Sequence, residues 1–212
     1  HEYRAVGVGG DFWCGSTTSG EIYCEGAPPR LCGANECTSE TQLQGPGSGN
    51  WGRPHLGANH GCARDGDSNI VYCWGSDTSE QLGESDGTGP GDAGIETDDE
   101  NHIAVGLNHT CVIDPTGDLK CWGDNTHGQI GTGGADTDGD SPVSSPTSVD
   151  WQNFDYSFKD VAAGQTFTCA IEAGHGDRGV RCWGSDSNEE LGNGSTEGDY
   201  FRPAPVHCPT LQ

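Results

Sequence analysis

The residues best equipped for chemistry in this 212-residue chain are its 11 cysteines, and eight of them fall into evenly spaced pairs. Cys14 precedes Cys24 by 10 residues, Cys62 precedes Cys73 by 11, Cys111 precedes Cys121 by 10 and Cys169 precedes Cys182 by 13. Paired thiols either form disulfides or hold a metal. Zinc sites favour gaps of about two to four residues and a converging second pair, and neither is found here. The pairs are therefore expected to be disulfides, which places the chain in an oxidising compartment outside the cytosol. A start at His1 and the lack of any Met fit a secreted chain whose signal peptide has been removed. Cys32, Cys37 and Cys208 are left over, so one thiol stays unpaired within the chain. Two arrangements are open: Cys32 joined to Cys37 with Cys208 free, or Cys208 joined to Cys32 or Cys37, in the same chain or the next.

Carboxylates supply the second candidate chemistry. Asp136, Asp138 and Asp140 alternate along one loop, a spacing that lets a single turn wrap a hard cation in oxygen ligands, so calcium is the candidate cofactor. The bidentate Glu that completes an EF-hand at its twelfth position is Thr147 here. Asp65-Gly66-Asp67-Ser68-Asn69 repeats the spacing, but ordinary turn chemistry selects the same residues. Catalytic arrangements find little support. Gly83-Glu84-Ser85-Asp86-Gly87 matches a nucleophile elbow in letters, yet it sits in a Gly- and Asp-rich loop rather than between a strand and a helix. His1 could enter a copper brace, but the eight histidines are scattered. No enzyme is expected. Asn108-His109-Thr110 and Asn193-Gly194-Ser195 are glycosylation sequons.

What positions these groups is a repeat. Cys73-Trp74-Gly75, Cys121-Trp122-Gly123 and Cys182-Trp183-Gly184 match, Cys24-Glu25-Gly26 is a worn copy, and the first cysteines advance by 48, 49 and 58 residues. A period near 49 is a propeller-blade length. If Cys111 faces Cys121 across two antiparallel strands, Val112 faces Lys120, Ile113 faces Leu119, and Pro115-Thr116-Gly117 is the loop, with Gly at its left-handed position. Thr18-Ser19-Gly20 is its counterpart in the first repeat. An apolar strand with a Gly precedes each pair, as in His102-Ile103-Ala104-Val105-Gly106. A turn closed by Gln/Glu-Leu/Ile-Gly follows, as in Gly128-Gln129-Ile130-Gly131. No segment carries a helical period, so the fold is all-β. One repeat domain fills residues 1–212, with blades at 1–50, 51–100, 101–150 and 151–212, the last including a terminal strand. The Trp of each Cys-Trp-Gly is expected to pack rather than to contact a ligand.

These motifs, clearest from Val105 to Gly133 and from Val161 to Gly194, resemble the repeat of the regulator of chromosome condensation family. The resemblance implies β-propeller blades of four antiparallel strands each. That family usually closes seven blades and this chain has four, leaving a small closed propeller or an open arc completed by a neighbouring subunit. The strand Pro203, Ala204, Pro205, Val206 looks surplus, and an unpaired edge is a template for pairing. The expectation is a secreted, non-enzymatic structural or adhesive protein that joins head to tail through this strand into a filament or oligomer. The alternative is a monomeric protein- or carbohydrate-binding module, inhibitor-like.

Charge limits the partners. With 33 Asp and Glu against 9 Lys and Arg, the net charge is −24, which repels nucleic acid and anionic membranes. No apolar run approaches the ~20 residues of a membrane span. The carboxylates fall mostly in turns, a solvated rim around a stapled core, so salt or divalent cations should strengthen any self-association.

Overall fold

The computed structural model describes residues 1–26, 37–43, 49–83, 91–133, 142–149, 157–174, 179–194 and 198–206. They form four sheets of four antiparallel strands, each drawn from one repeat. Blade 1 contains β1 (Tyr3–Val8), β2 (Phe12–Thr17), β3 (Ile22–Gly26) and β4 (Cys37–Gln42). Blade 2 contains β5 (His55–Leu56), β6 (His60–Arg64), β7 (Ile70–Gly75) and β8 (Gly91–Glu96). Blade 3 contains β9 (Ile103–Val105), β10 (His109–Ile113), β11 (Leu119–Gly123) and β12 (Val143–Ser148). Blade 4 contains β13 (Ser157–Ala163), β14 (Phe167–Ala173), β15 (Val180–Gly184) and β16 (Tyr200–Pro205).

The central hairpins have the register that the cysteine spacing predicts. Cys111 faces Cys121, Val112 faces Lys120 and Ile113 faces Leu119, with Gly117 at φ +85 closing the loop. Disulfides join Cys14–Cys24, Cys62–Cys73, Cys111–Cys121 and Cys169–Cys182, each with Cα atoms 4.1 Å apart. The glycine of Cys-Trp-Gly has its own reason. It adopts positive φ in every blade (Gly26, Gly75, Gly123, Gly184), and a Cβ on Gly123 or Gly184 would lie 2.5 Å from the carbonyl oxygen of Asn108 or Thr166, the residue just before the neighbouring strand. Only glycine tolerates both the backbone and the approach.

First strands lie innermost, since β1 touches β5, β5 touches β9 and β9 touches β13. The sheets do not close into a ring, so of the two arrangements open at the sequence level the molecule is an open arc. One expectation is corrected. Pro203, Ala204 and Pro205 belong to β16, which pairs with β15 through Arg181↔Pro205 and Cys182↔Ala204, while the Val206 N–H donates to the Val180 carbonyl at 3.1 Å. The strand is the fourth of its own blade. It looks surplus when the Pro-containing strand that closes each blade is counted as the opening strand of the next; each repeat in fact supplies all four of its own strands.

Candidate interaction surfaces

Calling the face of each blade toward the next repeat its front, the core lies in three layers, each between one front and the following back. The disulfides, Phe12 of β2 and Ile113 of β10 point forward, while Ala63 of β6, Val112 of β10 and the Trp of Cys-Trp-Gly point backward. Trp122 packs against Cys62, Cys73 and Leu82 of blade 2, and Trp183 against Cys111, Cys121 and Ile130 of blade 3. Trp74, Trp122 and Trp183 are all buried, the packing role expected of them.

A polar joint is embedded in two of these layers. The Gln81 carbonyl of blade 2 accepts from Trp122 Nε1–H and from the Thr110 hydroxyl, both at 3.0 Å. The Gln129 carbonyl of blade 3 accepts from Trp183 Nε1–H and Thr168 Oγ1–H, both at 2.9 Å. Because each hydroxyl proton goes to a carbonyl, its oxygen is left to accept from a histidine of the preceding blade: His60 Nε2–H to Thr110 at 2.9 Å, His109 Nε2–H to Thr168 at 3.0 Å. That fixes both rings as neutral Nε2–H tautomers, since neither Nδ1 has a hydrogen-bond partner among the described residues. Burial pushes the His60 pKa down to about 3, with the nearby His109 adding to the effect, and burial likewise lowers His109 to about 4.

The loops that offer these carbonyls are held by their own side chains. Asp77, Asn125 and Asp186 accept from the backbone N–H of Leu82, Ile130 and Leu191 at 3.0, 3.1 and 3.0 Å. Gln81 and Gln129 Oε1 and Glu190 Oε2 cap the N–H of Ser79, His127 and Asn188. The following glycine leaves room for the indole: a Cβ on Gly131 would sit 2.6 Å from Trp183 Nε1. The first layer is apolar instead. Phe12 occupies the histidine position, Gly61 the threonine position, and the buried Trp74 Nε1–H has no described acceptor.

The two ends of the arc differ. On the front of blade 4, Phe167, Ile171 and Val180 occupy the positions of His109, Ile113 and Leu119 in blade 3. The blade 3 trio is fully covered, whereas Val180 is 41% exposed and Phe167 and Ile171 are half-buried. The Glu190 carbonyl, counterpart of Gln81 and Gln129, receives no described donor. The back of blade 1 lacks what a back normally carries. Exposed Glu25 stands where the Trp would be, and Trp13 where the Thr would be. Tyr3 lies edge-on to Trp13 at 5.8 Å and its hydroxyl donates to Glu40, while His1 stacks on Tyr23 at 3.9 Å.

A groove of about 370 Å³ runs along the inner edge, lined by the turns at Gly9, Gly57, Gly106 and Gly164. None of its lining residues is titratable, so it offers no acid, base or nucleophile.

The remaining sequence candidates are accounted for as follows. Asp65 accepts from the Asp67 N–H at 2.9 Å, Asp67 from Asn50 Nδ2–H at 3.0 Å, and Asn69 from Arg64; these oxygens close a turn rather than hold a cation. Asn108-His109-Thr110 belongs to the interblade joint, where His109 and Thr110 are buried. His1 faces Tyr23 and Glu40. Asp136, Asp138, Asp140, Cys32, Cys208, the Cys37 side chain and residues 84–87 lie outside the described residues. Among the described residues, no group of three or more His, Cys, Asp or Glu side chains could hold a metal ion.

Comparison with known proteins gives a match to one repeat family over part of the chain, and a fold. Two models of the regulator of chromosome condensation (RCC1) repeat match, over residues 101–129 and 116–171. No curated protein matches. Among solved structures, human WBSCR16 superposes at TM-score 0.78 with 17% identity, over 98% of this chain and 54% of that one. Yeast RCC1 (Prp20), solved bound to Kap60, gives 0.74 with 19% identity, over 95% and 49%. The ectodomain of the Arabidopsis thaliana receptor kinase ACR4 gives 0.53 with 20% identity, over 86% and 53%. The chain spans about half the length of the solved chains it matches.

Proposed function

We propose that the chain is an RCC1-type β-propeller repeat protein that works as an extracellular, non-enzymatic binding module. The observation that carries this reading is the front of blade 4, where Val180 is 41% exposed and Phe167 and Ile171 are half-buried. Three further points support it. The buried histidines are occupied as neutral hydrogen-bond donors, which leaves them unavailable as general bases, and the inner groove has no titratable lining. Four disulfides suit an oxidising compartment. Similar folds are described in complex with Kap60, in binding to Gsp1p and histones, and as the ectodomain of a receptor kinase.

The self-assembling filament finds no support in the terminal strand, which pairs on one edge with β15 of its own blade. The test uses the disulfide-intact chain and its Val180→Asp variant, immobilised in parallel and exposed to the proteins of its own extracellular medium. Saturable, stoichiometric retention of a partner by the native chain and loss of it by the variant support the reading. Equal retention by both, or turnover of peptide or glycoside substrates by the native chain, overturns it.

A further inference from the structure

In blades 2, 3 and 4 the turn between the first two strands lies beside the connection between the last two: the N–H groups of Ser76, Asp124 and Ser185 donate to the carbonyls of Asn59, Asn108 and Thr166 at 2.8, 2.8 and 2.9 Å. Those connections therefore share one face of the molecule with the inner turns at Gly57, Gly106 and Gly164, which line the uncharged groove. The connections, residues 76–90, 124–142 and 185–199, hold 13 Asp and Glu and no Lys or Arg. The opposite face sets carboxylates beside cations instead, Asp114 with Lys120 at 3.0 Å and Glu172 with Arg181 at 2.8 Å. Two of the unopposed acids occupy a costly position. Glu80 and Glu189 take φ +59 and +62 in the turn where Gly128 takes +79, and the turns match bond for bond, the N–H groups of Gly83, Gly131 and Gly192 donating to the carbonyls of Glu80, Gly128 and Glu189. Glycine enters that region freely and other L-residues at a cost. Both glutamates are exposed, and neither carboxylate has a partner among the described residues. In the same turn as Glu189, Asp186 is fully buried; one oxygen accepts from Leu191 N–H at 3.0 Å and the other has no hydrogen-bond partner among the described residues. A carboxylate oxygen desolvated without a donor is costly, and a cation brought to the turn offsets that cost.

We propose that this face is a docking surface for a basic polypeptide segment, whose Lys or Arg side chains meet Glu80 and Glu189 and which seats an apolar side chain in the groove between the inner turns. Charge complementarity selects the occupant: a second copy of the chain, at −24, and nucleic acid are both repelled. Glycine at either turn position would ease the backbone with no loss of packing, because both side chains stand in solvent; what it would remove is the charge. Backbone strain kept for the sake of an exposed, unpaired side chain leads to a role outside the fold. The proposal adds a surface to the binding-module reading and does not depend on Val180.

The test titrates the disulfide-intact chain into a fluorescein-labelled oligolysine peptide carrying one central leucine and reads fluorescence anisotropy, at about 0.15 M salt, where charges more than about 8 Å apart are largely screened. So acidic a chain attracts any polycation, and the comparison is therefore between variants of equal charge. Glu80→Gln/Glu189→Gln, on the proposed face, should weaken binding about fivefold. Glu96→Gln/Asp98→Asn, exposed carboxylates on the opposite face, should change it by less than about twofold. Exchanging the leucine of the peptide for serine should weaken its binding to the native chain, because the groove then receives no apolar group. Glu80→Gly/Glu189→Gly should lose the same binding as the glutamine variant while melting no lower than the native chain. Equal losses in the two equal-charge variants, indifference to the leucine, or a lower melting temperature for the glycine variant overturns the proposal. Val180→Asp should leave the affinity for the peptide unchanged, so failure here would leave the reading of the blade 4 front to its own test.

Discussion

Acid should destabilise this protein through two histidines in particular. His60 and His109 are fully buried and neutral, with pKa values lowered to about 3 and about 4, whereas in the unfolded chain both titrate near about 6.5. As pH falls below 6.5 the unfolded state takes up protons that the native state refuses, so stability drops until the native pKa values are reached. At pH 5 the loss is about 2 kcal/mol for each ring, about 4 kcal/mol together. Protonation of the many carboxylates works on the same curve and relieves repulsion among a net charge of −24, so the wild-type profile alone cannot isolate the histidines. The comparison that does is with His60→Phe/His109→Phe. Phenylalanine already fills the equivalent positions as Phe12 and Phe167, and Thr110 and Thr168 keep their bonds to Gln81 and Gln129. Urea unfolding followed by tryptophan fluorescence, at several values from pH 7.5 to pH 5, should show the wild type losing about 4 kcal/mol relative to the variant. Each single variant should recover about half. Parallel curves for wild type and double variant would refute the assignment of neutral, buried rings.

Other consequences follow from the same joints. Thr168→Val removes a hydroxyl that serves His109 and Gln129 at once, and should cost about 1–3 kcal/mol by urea midpoint; in a His109→Phe background the cost should shrink, because no orphaned N–H is left behind. Mild reductant should open Cys169–Cys182 first among the four hairpin pairs, since Cys169 is half-buried while Cys14, Cys24, Cys62, Cys73, Cys111 and Cys121 are shielded; differential alkylation and mass spectrometry should find it labelled before the other three at short times. Full reduction removes about 3 kcal/mol for each loop of this length, a sum comparable with a domain's whole stability, so circular dichroism should report unfolding at room temperature. Sodium chloride should raise the melting temperature by screening the acidic rim. Calcium at matched ionic strength should raise it further only if Asp136, Asp138 and Asp140 bind it, and Asp138→Asn should then erase the difference.

The hairpins were legible because their information is local. Two cysteines, the count between them and one glycine fix a register to the residue, and Cys111 to Cys121 shows it. The fate of Pro203 to Val206 was not, because strand order within a blade is a long-range fact: β15 and β16 are separated by a turn whose length is compatible with pairing at home or with a neighbour. The polar joints were hidden differently. His60 and His109 sit in one column of the repeat and Thr110 and Thr168 in the next, but Phe12 and Phe167 fill the histidine column in the other two blades. A chemical role shared by half the repeats reads as variation until the facing blade is seen. The variation turns out to be the signal, since histidine occurs only where the next blade brings a threonine.

That reasoning extends to the ends of the arc. A repeat array buries a continuous core only by stacking, so a terminal repeat needs a polar or self-covered outer face. Blade 1 meets this requirement: glutamate replaces tryptophan at position 25, and Tyr3, Trp13, Tyr23 and His1 pack on one another across its back. Blade 4 does not. Its threonine-facing histidine has become Phe167, yet Val180, Ile171 and the Glu190 carbonyl remain those of an internal repeat. Val180→Asp should therefore cost little stability in the isolated chain, within about 0.5 kcal/mol as for an ordinary surface change, whereas Leu119→Asp at the equivalent covered position should unfold it. Equal penalties at the two sites would mean that the front of blade 4 is covered within the chain itself, and the asymmetry drawn between the two ends would fail.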